Sequence, residues 1–363
     1  MVKLGDICVK ASSNIKQSDL EGRSGAYPIY GAGGWIRDVD FYEQEKPYVA
    51  VVKDGAGAGR VMYLPERSSV IGTMQYIIPN ADINARYLAY AMDFMKLSRY
   101  CMGATIPHIY FKDYCKEELP AHSRPEQDRI ASALGKMDDC IRLRERQLEK
   151  LDELVKSKFV EMFGDDKFEN RRLDSVAEVS SGLTKNGNKR SLYRAKMPYL
   201  RVANVYFNHL DLTDIQEIGV AESEIEKTLL EKDDLLFVEG NGSPEQIGRV
   251  SLWDGSVSPM LHQNHIIKAR FDKSIILPHF AMAYYMTQEG RSQILENART
   301  TSGLYTLSLS KISGFTLPCP PIQEQAHFTA LMEQVDKTKS AVRRGVSKLE
   351  TLKAASMQRY FAP

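Results

Sequence analysis

Two stretches of this chain, 119–164 and 317–362, align without a gap at a constant separation of 198 residues. Each opens on Leu-Pro (Leu119-Pro120, Leu317-Pro318), passes Glu-Gln (Glu126-Gln127, Glu324-Gln325) and ends on an aromatic (Phe163, Phe361). In that register Asp138 meets Asp336, Lys150-Leu151 meets Lys348-Leu349 and Leu154 meets Leu352. A long segment written twice, so far apart, implies that what precedes each copy is duplicated as well. Such a chain folds as two comparable halves, and a two-part protein points to a two-part target.

Upstream matches bear this out in sequence. Leu4 opens a segment resembling that at Leu173 (separation 169), and Tyr27-Pro28-Ile29 resembles Met197-Pro198-Tyr199 (170). Residues Tyr48 to Ile78 align with Phe237 to Ile267 at 189, placing Gly59-Arg60-Val61 on Gly248-Arg249-Val250. The separation grows in steps, so the second copy gains about 19 residues between the second and third matches and about 9 before its helix; surface loops tolerate insertions of this kind. Short apolar runs at Tyr48–Val52, Val61–Leu64, Leu235–Val238 and Val250–Trp253 read as strands. Amphipathic helices are expected near Ala85–Tyr100 and Pro278–Asn297.

Glu126–Phe163 carries a heptad seam: Ile130, Leu134, Met137, Ile141, Arg144, Leu148, Leu151, Val155, Lys158 and Met162. Its partner gives Phe328, Met332, Val335, Lys339, Val342, Val346, Leu349, Lys353, Ser356 and Tyr360. The polar interruptions fall at different heptad positions, which helps two unlike helices find one register. A helix of about 38 residues is about 57 Å long, the length of about 17 base pairs. The expected fold is α+β: two tandem strand-rich domains separated by two long α-helices that pair as an antiparallel coiled coil with pseudo-two-fold symmetry. The boundaries expected are 1–117 for the first domain, 118–164 for the first helix, 165–315 for the second domain and 316–363 for the second helix.

The 363 residues exceed what one core usually holds, and 43% hydrophobic with 26% charged residues are ordinary globular values. Five cysteines, widely spaced and without a C-x-x-C pair, read as reduced, buried thiols. The N-terminus lacks a signal-peptide core, and no apolar run is long enough to span a membrane, so a soluble, cytoplasmic protein is expected. The net charge of +1, from 48 basic and 47 acidic residues, is unhelpful to a DNA binder unless cations cluster or partner subunits supply charge.

Known catalytic signatures are missing. Gly55-Ala-Gly-Ala-Gly59 has the wrong spacing for G-x-G-x-x-G and leads into a strand-like run, so it reads as a hairpin or bulge and not a phosphate cradle. There is no Walker loop, no H-E-x-x-H, and no Asn-Pro-Pro-Tyr-type tetrapeptide of the amino-methyltransferases. The chain is read as non-enzymatic, with no catalytic residue, no metal site and no cofactor of its own. Polar residues gather in irregular segments. In the first half these are Lys53, Asp54, Arg60, Thr73, Gln75, Thr105, His108 and Tyr110. In the second they are Arg201, Asn204, Asn241, Ser243, Arg249, His262, Gln263, Asn264, Arg299, Thr301 and Tyr305. Such side chains discriminate base edges and position phosphates, so they form the candidate DNA-binding set.

The duplicated Leu-Pro-x(5)-Glu-Gln boundary, Tyr199-Leu-Arg-Val-Ala-Asn204, Leu230-Glu-Lys-Asp-Asp-Leu-Leu-Phe237 and Thr300-Thr-Ser-Gly-Leu-Tyr305 together resemble the specificity subunit of type I restriction–modification systems. The first copy's Gly103-Ala-Thr-Ile-Pro-His-Ile109 is a shorter counterpart of the last, and Arg124-Pro125 departs from the apolar style of Ile322-Gln323. The resemblance covers essentially the whole chain. It implies two target recognition domains, each reading half of a bipartite, asymmetric site on double-stranded DNA, with the paired helices setting the unread spacing. It further implies docking of two methyltransferase subunits, which would carry S-adenosylmethionine, and of motor-nuclease restriction subunits, which would carry ATP and magnesium. The alternatives are a specificity module of another phage-defence methyltransferase and a coiled-coil scaffold that does not bind DNA.

Overall fold

The computed structural model describes residues 1–103, 105–164, 167–298 and 305–362. The chain forms two compact units, Met1–Arg146 with Val342–Pro363, and Gln147–Ala341.

In the first unit, strands β1 (Val2–Lys3), β2 (Cys8–Ser12), β3 (Tyr27–Gly31), β4 (Gly34–Val39), β5 (Tyr48–Val52), β6 (Val61–Leu64), β7 (Ser69–Val70) and β8 (Met74–Pro79) precede helix α1 (Ala85–Phe94) and strand β9 (Glu118–Leu119). The main sheet is antiparallel, in the order β2-β8-β5-β6. All five residues of β5 are buried, as an uninterrupted apolar run demands. Its Val49 and Val51 pack with Tyr87, Leu88 and Ala91 of α1. Tyr48, Ala50 and Val52 face Val70 and Tyr76 on the other side. A smaller sheet, β4-β3-β7, adds a parallel β3–β7 pair.

The second unit repeats this plan. Its strands are β10 (Asn170–Arg172), β11 (Ala177–Ser181), β12 (Lys196–Leu200), β13 (Gln216–Gly219), β14 (Leu235–Val238), β15 (Val250–Leu252), β16 (Leu261–His262), β17 (Ile266–Phe271) and β18 (Thr316–Pro318), with helices α2 (Pro278–Met286) and α3 (Gln288–Ala298). The sheets run β11-β17-β14-β15 and β13-β12-β16, matching the first unit strand for strand.

The ladders fix which residues correspond. Leu4 N–H donates to Glu117 O as Leu173 N–H does to Phe315 O, giving separations of 169 and 198. Val52 N–H donates to Arg60 O as Val238 N–H does to Arg249 O, giving 186 and 189. Val51 pairs with Gln75 as Phe237 pairs with Ile267, giving 192. The block 48–78 is therefore not aligned at one separation. Three residues enter at the glycine turn and three more before β17, so the sequence alignment of Tyr48 with Phe237 is displaced by three. Part of the remaining excess lies where the short hairpin Val205–Tyr206/His209–Leu210 rises after β12.

Two long helices serve both units, one at Arg124–Phe163 and one at Ile322–Phe361, 198 residues apart. Pro125 sits in the first turn, where its missing N–H leaves no bond unmade, so the departure at Arg124-Pro125 does not delay the helix. In the first unit Ile130 and Leu134 share a core with Met357 and Phe361. In the second, Phe328 and Met332 share one with Phe159 and Phe163. Every seam position expected from the heptads is buried or half-buried. The polar interruptions are accommodated individually. Lys339, 6% exposed, donates to Asp152 Oδ1 at 2.5 Å, and Lys353 Nζ lies 2.6 Å from Asp138 Oδ1. Within the first unit Asp138 meets Lys353 and Arg144 meets Gly345, so one helix advances as the other recedes, which is antiparallel pairing. Gly345 makes room for Arg144, whose Nη1 is 2.7 Å from where a Cβ would stand.

The Leu-Pro-x(5)-Glu-Gln boundary also acquires a physical meaning. Leu119 and Leu317 are buried in β9 and β18, which pair with β1 and β10. Gln127 Oε1 accepts from Asn84 N–H and Gln325 Oε1 from Leu277 N–H, while their amides donate to His122 O and Pro320 O. Each glutamine thus ties the residue before α1 or α2 to the approach of a long helix. All five cysteines are free; Cys8 is buried, but Cys140 is exposed and three are intermediate, so they are not uniformly buried thiols. No described helix is long and apolar enough to cross a membrane.

Candidate nucleic-acid interface

The loop that leaves the central strand is built the same way in both units. In the first, Lys53 N–H donates to Thr73 O and Ile109 N–H to Lys53 O. In the second, Glu239 N–H donates to His265 O and Leu307 N–H to Glu239 O. Each glycine-rich turn is thereby clamped between the inter-strand turn on one side and the segment preceding the long helix on the other. Gly59 (φ 87°) and Gly248 (φ 61°) occupy equivalent left-handed positions. A Cβ on Gly59 would stand 2.5 Å from Ser98 N, which explains why the Gly-Arg-Val triplet repeats.

The arginine of that triplet has a shared task. Arg60 Nη1 donates to Ala32 O at 2.8 Å and Arg249 Nη2 to Val202 O at 3.1 Å, fastening the turn to the loop after β3 or β12. In the first unit this brings together residues 32–35, 53–60, 73, 102–103 and 105–110 as one surface. It carries exposed Thr73, Thr105, Ile106 and Tyr110, half-exposed Lys53, Asp54 and His108, and Arg60. His108 Nδ1 lies 2.7 Å from Asp54 Oδ1, and Lys112 Nζ stands 5.4 Å over the Tyr110 ring. In the second unit the corresponding surface holds Asn241, Ser243 and Tyr305, all half-exposed, with Asn241 paired to Tyr305 across a short ladder. Asn241 Oδ1 accepts from Ser243 N–H, which shapes the turn. Gln263 and Asn264 are half-exposed in the turn between β16 and β17.

Four of the candidate side chains are buried and not at the surface. Gln75 is 2% exposed and donates to Tyr114 Oη at 2.6 Å inside the first core. Asn204, 2% exposed, accepts from Arg201 N–H and donates to Asp211 O and Asp214 O, closing a loop. His262 is fully buried, its Nδ1 on Ile266 O, and burial lowers its pKa to about 4. Arg249 is 7% exposed, stacked 4.9 Å over Tyr206, and burial lowers its pKa. These polar side chains satisfy turns from within, a role that residue type alone does not separate from base reading. Arg201 is also occupied, donating to Asp214 O and Oδ2. Arg299 and Thr301 lie outside the described residues.

Sequence reasoning passed over Trp35, 61% exposed beside the Gly33-Gly34 turn, and Met102 and Ile106, each 56% exposed. The signal for Trp35 was a large aromatic directly after a Gly-Gly turn. It also passed over Glu239 and His265, whose side chains pair at 2.8 Å. Among the described residues no His, Cys, Asp and Glu cluster could hold a metal ion.

A family model described as type I restriction modification DNA specificity domain matches residues 1–153 and 165–350. The chain belongs to this family. It is 29% identical over 174 residues to the type I restriction enzyme EcoKI specificity subunit of Escherichia coli K12, covering 46% of this chain and 36% of that protein. It is 23% identical over 197 residues to a putative type I restriction enzyme specificity subunit, MjaX, of Methanocaldococcus jannaschii, covering 53% and 45%. The matches span less than half the length of these curated relatives. Among solved structures, the S subunit of a type I restriction–modification system from M. genitalium superposes with a TM-score of 0.63 at 16% identity, over 100% of this chain and 96% of that one. A chain from a study of type I R-M complex assembly and conformational transition gives 0.57 at 13%, over 99% and 96%. At these identities the structures speak to the fold: two tandem mixed domains with two long helices.

Proposed function

We propose that this chain is the sequence-reading subunit of a type I restriction–modification complex. Each recognition domain reads one half of a bipartite, asymmetric DNA site. The paired helices set the unread spacing and dock two methyltransferase subunits, and restriction subunits join that assembly. S-adenosylmethionine, ATP and magnesium belong to those partners, and the chain itself is non-catalytic and works where the DNA is, in the cytoplasm. Domain limits at 117, 164 and 315 follow from the same reading.

One observation carries it. The scaffold under each glycine turn is duplicated bond for bond, while the side chains it displays have diverged: Lys53, Asp54 and His108 stand where the second unit has Glu239, Gly240 and Thr306. Conserved framework with unlike polar display is what two independent readings of base edges require. Within the candidate set, Lys53, Asp54, Arg60, Thr73, Thr105, His108 and Tyr110 would serve one half-site. Asn241, Ser243, Gln263, Asn264, Arg299, Thr301 and Tyr305 would serve the other. The near-neutral net charge fits a subunit whose partners help to hold the phosphates.

The test is to exchange residues 1–117 for the equivalent domain of a homologue and map methylated adenines in the host genome by single-molecule sequencing. One half of the recognised site should change while the other half and the spacing persist. A map with both halves unaltered would end this reading.

A further inference from the structure

Each unit carries a histidine–carboxylate pair on the surface just described, and the two pairs are not related by the duplication. In the first, His108 Nδ1 lies 2.7 Å from Asp54 Oδ1 with the imidazole 42% exposed. In the second, His265 Nδ1 lies 2.8 Å from Glu239 Oε2 with the imidazole 53% exposed. The backbone ladder makes Lys53 the counterpart of Glu239, Thr73 that of His265, and His108 that of Thr306. Acid and histidine therefore come from non-equivalent positions in the two units. The same pair has been assembled twice, at the same edge of the same scaffold, and inheritance from a common ancestor of the halves does not account for it.

A carboxylate held on Nδ1 keeps the proton on that nitrogen and leaves Nε2 of the neutral ring with a lone pair. It also locks the ring's orientation. A phosphate contact would favour an unopposed Lys or Arg, and a carboxylate at 2.7–2.8 Å works against an approaching phosphate. An Nε2 acceptor is suited instead to an exocyclic amine, the N6 of adenine or N4 of cytosine, on the major-groove edge. We propose that His108 and His265 are specificity-determining residues, one for each half-site, that read an amine-bearing base edge through Nε2 while Asp54 and Glu239 act as positioning residues. This rests on the DNA-reading function proposed above.

The experiment maps methylated sites with the full chain in its host, comparing H108A, H265A, D54N and E239Q with the unaltered gene and with its deletion. H108A should relax one base position in one half-site, raising methylation about tenfold at sites that differ there, and H265A should do so in the other half-site. The half-site left intact in each variant reports that the chain is folded. D54N and E239Q let an amide donate to Nδ1 and move the proton to Nε2, so the preferred base at the same position should change and not merely loosen. An unchanged motif in H108A and H265A overturns the assignment, as does a uniform loss across all sites, which would mark a backbone contact. Unchanged preference in D54N and E239Q overturns the positioning role. If the unaltered gene and its deletion give one methylation map, the DNA-reading function itself has failed, and that outcome is distinct from the others.

Discussion

Replacing Gln325 by Met tests what the Glu-Gln boundary does. Gln325 is fully buried, and its side chain makes three hydrogen bonds: Oε1 accepts from Leu277 N–H at 2.8 Å, and Nε2 donates to Ile275 O and Pro320 O, each at 2.8 Å. Met preserves length and volume and removes all three. At about 1 kcal/mol per bond the loss is about 3 kcal/mol, and desolvated orphan groups on the backbone push it upward. The chain has two tryptophans, Trp253 at 1% exposure in the second unit and Trp35 at 61% in the first. A red shift of emission on urea unfolding therefore reports the second unit almost alone. With a slope of about 2–3 kcal/mol per molar, the midpoint should fall by about 1–1.5 M. Gln127→Met removes two side-chain bonds in the first unit and serves as the comparison. A midpoint for Q325M within about 0.3 M of the unaltered protein, at unchanged slope, would refute the view that this glutamine is the clamp that makes the boundary recur.

The same fluorescence reads three more predictions. His262 titrates near 4 in the fold because burial disfavours its charged form, against about 6.5 when unfolded; the unfolded chain binds the extra proton between those values, so stability falls as pH drops from 6.5 to 4, by about 3 kcal/mol. His262→Gln should flatten that part of the stability–pH curve relative to the unaltered chain. Gly248→Ala forces an L residue to φ 61° with its Cβ 2.4 Å from Ile294 Cγ2 and should cost about 2–3 kcal/mol, whereas Gly242→Ala, with nothing within 4 Å, should change the midpoint little. Lys339→Met should be neutral or stabilising within about 1 kcal/mol, since a heptad position gains an apolar side chain, while Asp152→Ala should cost about 1–2 kcal/mol by leaving Lys339 with only Asp336, at 3.8 Å.

The long helices and their pairing were legible in the sequence because a heptad seam is a one-dimensional signal. From Phe328 to Tyr360 the spacing alone marks the buried stripe, and even Lys339 and Lys353 announce themselves as interruptions that need a partner. The duplication was legible where backbone geometry constrains residue type, at Gly59-Arg60 and Gly248-Arg249 and at Gln127 and Gln325. It was misread by three residues at Tyr48, since one apolar strand residue resembles another and only the ladder settles the register. The polar loop segments were legible by region, but which of their side chains reach the surface was not. Asn204 and Tyr305 sit in comparably polar loops, yet one closes a turn from inside and the other lies half-exposed. That difference depends on where a loop's own backbone groups find partners, a three-dimensional requirement with no periodicity to betray it. Glu239 and His265 escaped for the same reason: 26 residues apart and each unremarkable alone, they become a pair only because Glu239 N–H bonds to His265 O. Candidates for base reading in a duplicated scaffold are therefore best sought where the backbone bonds are shared and the side chains are not.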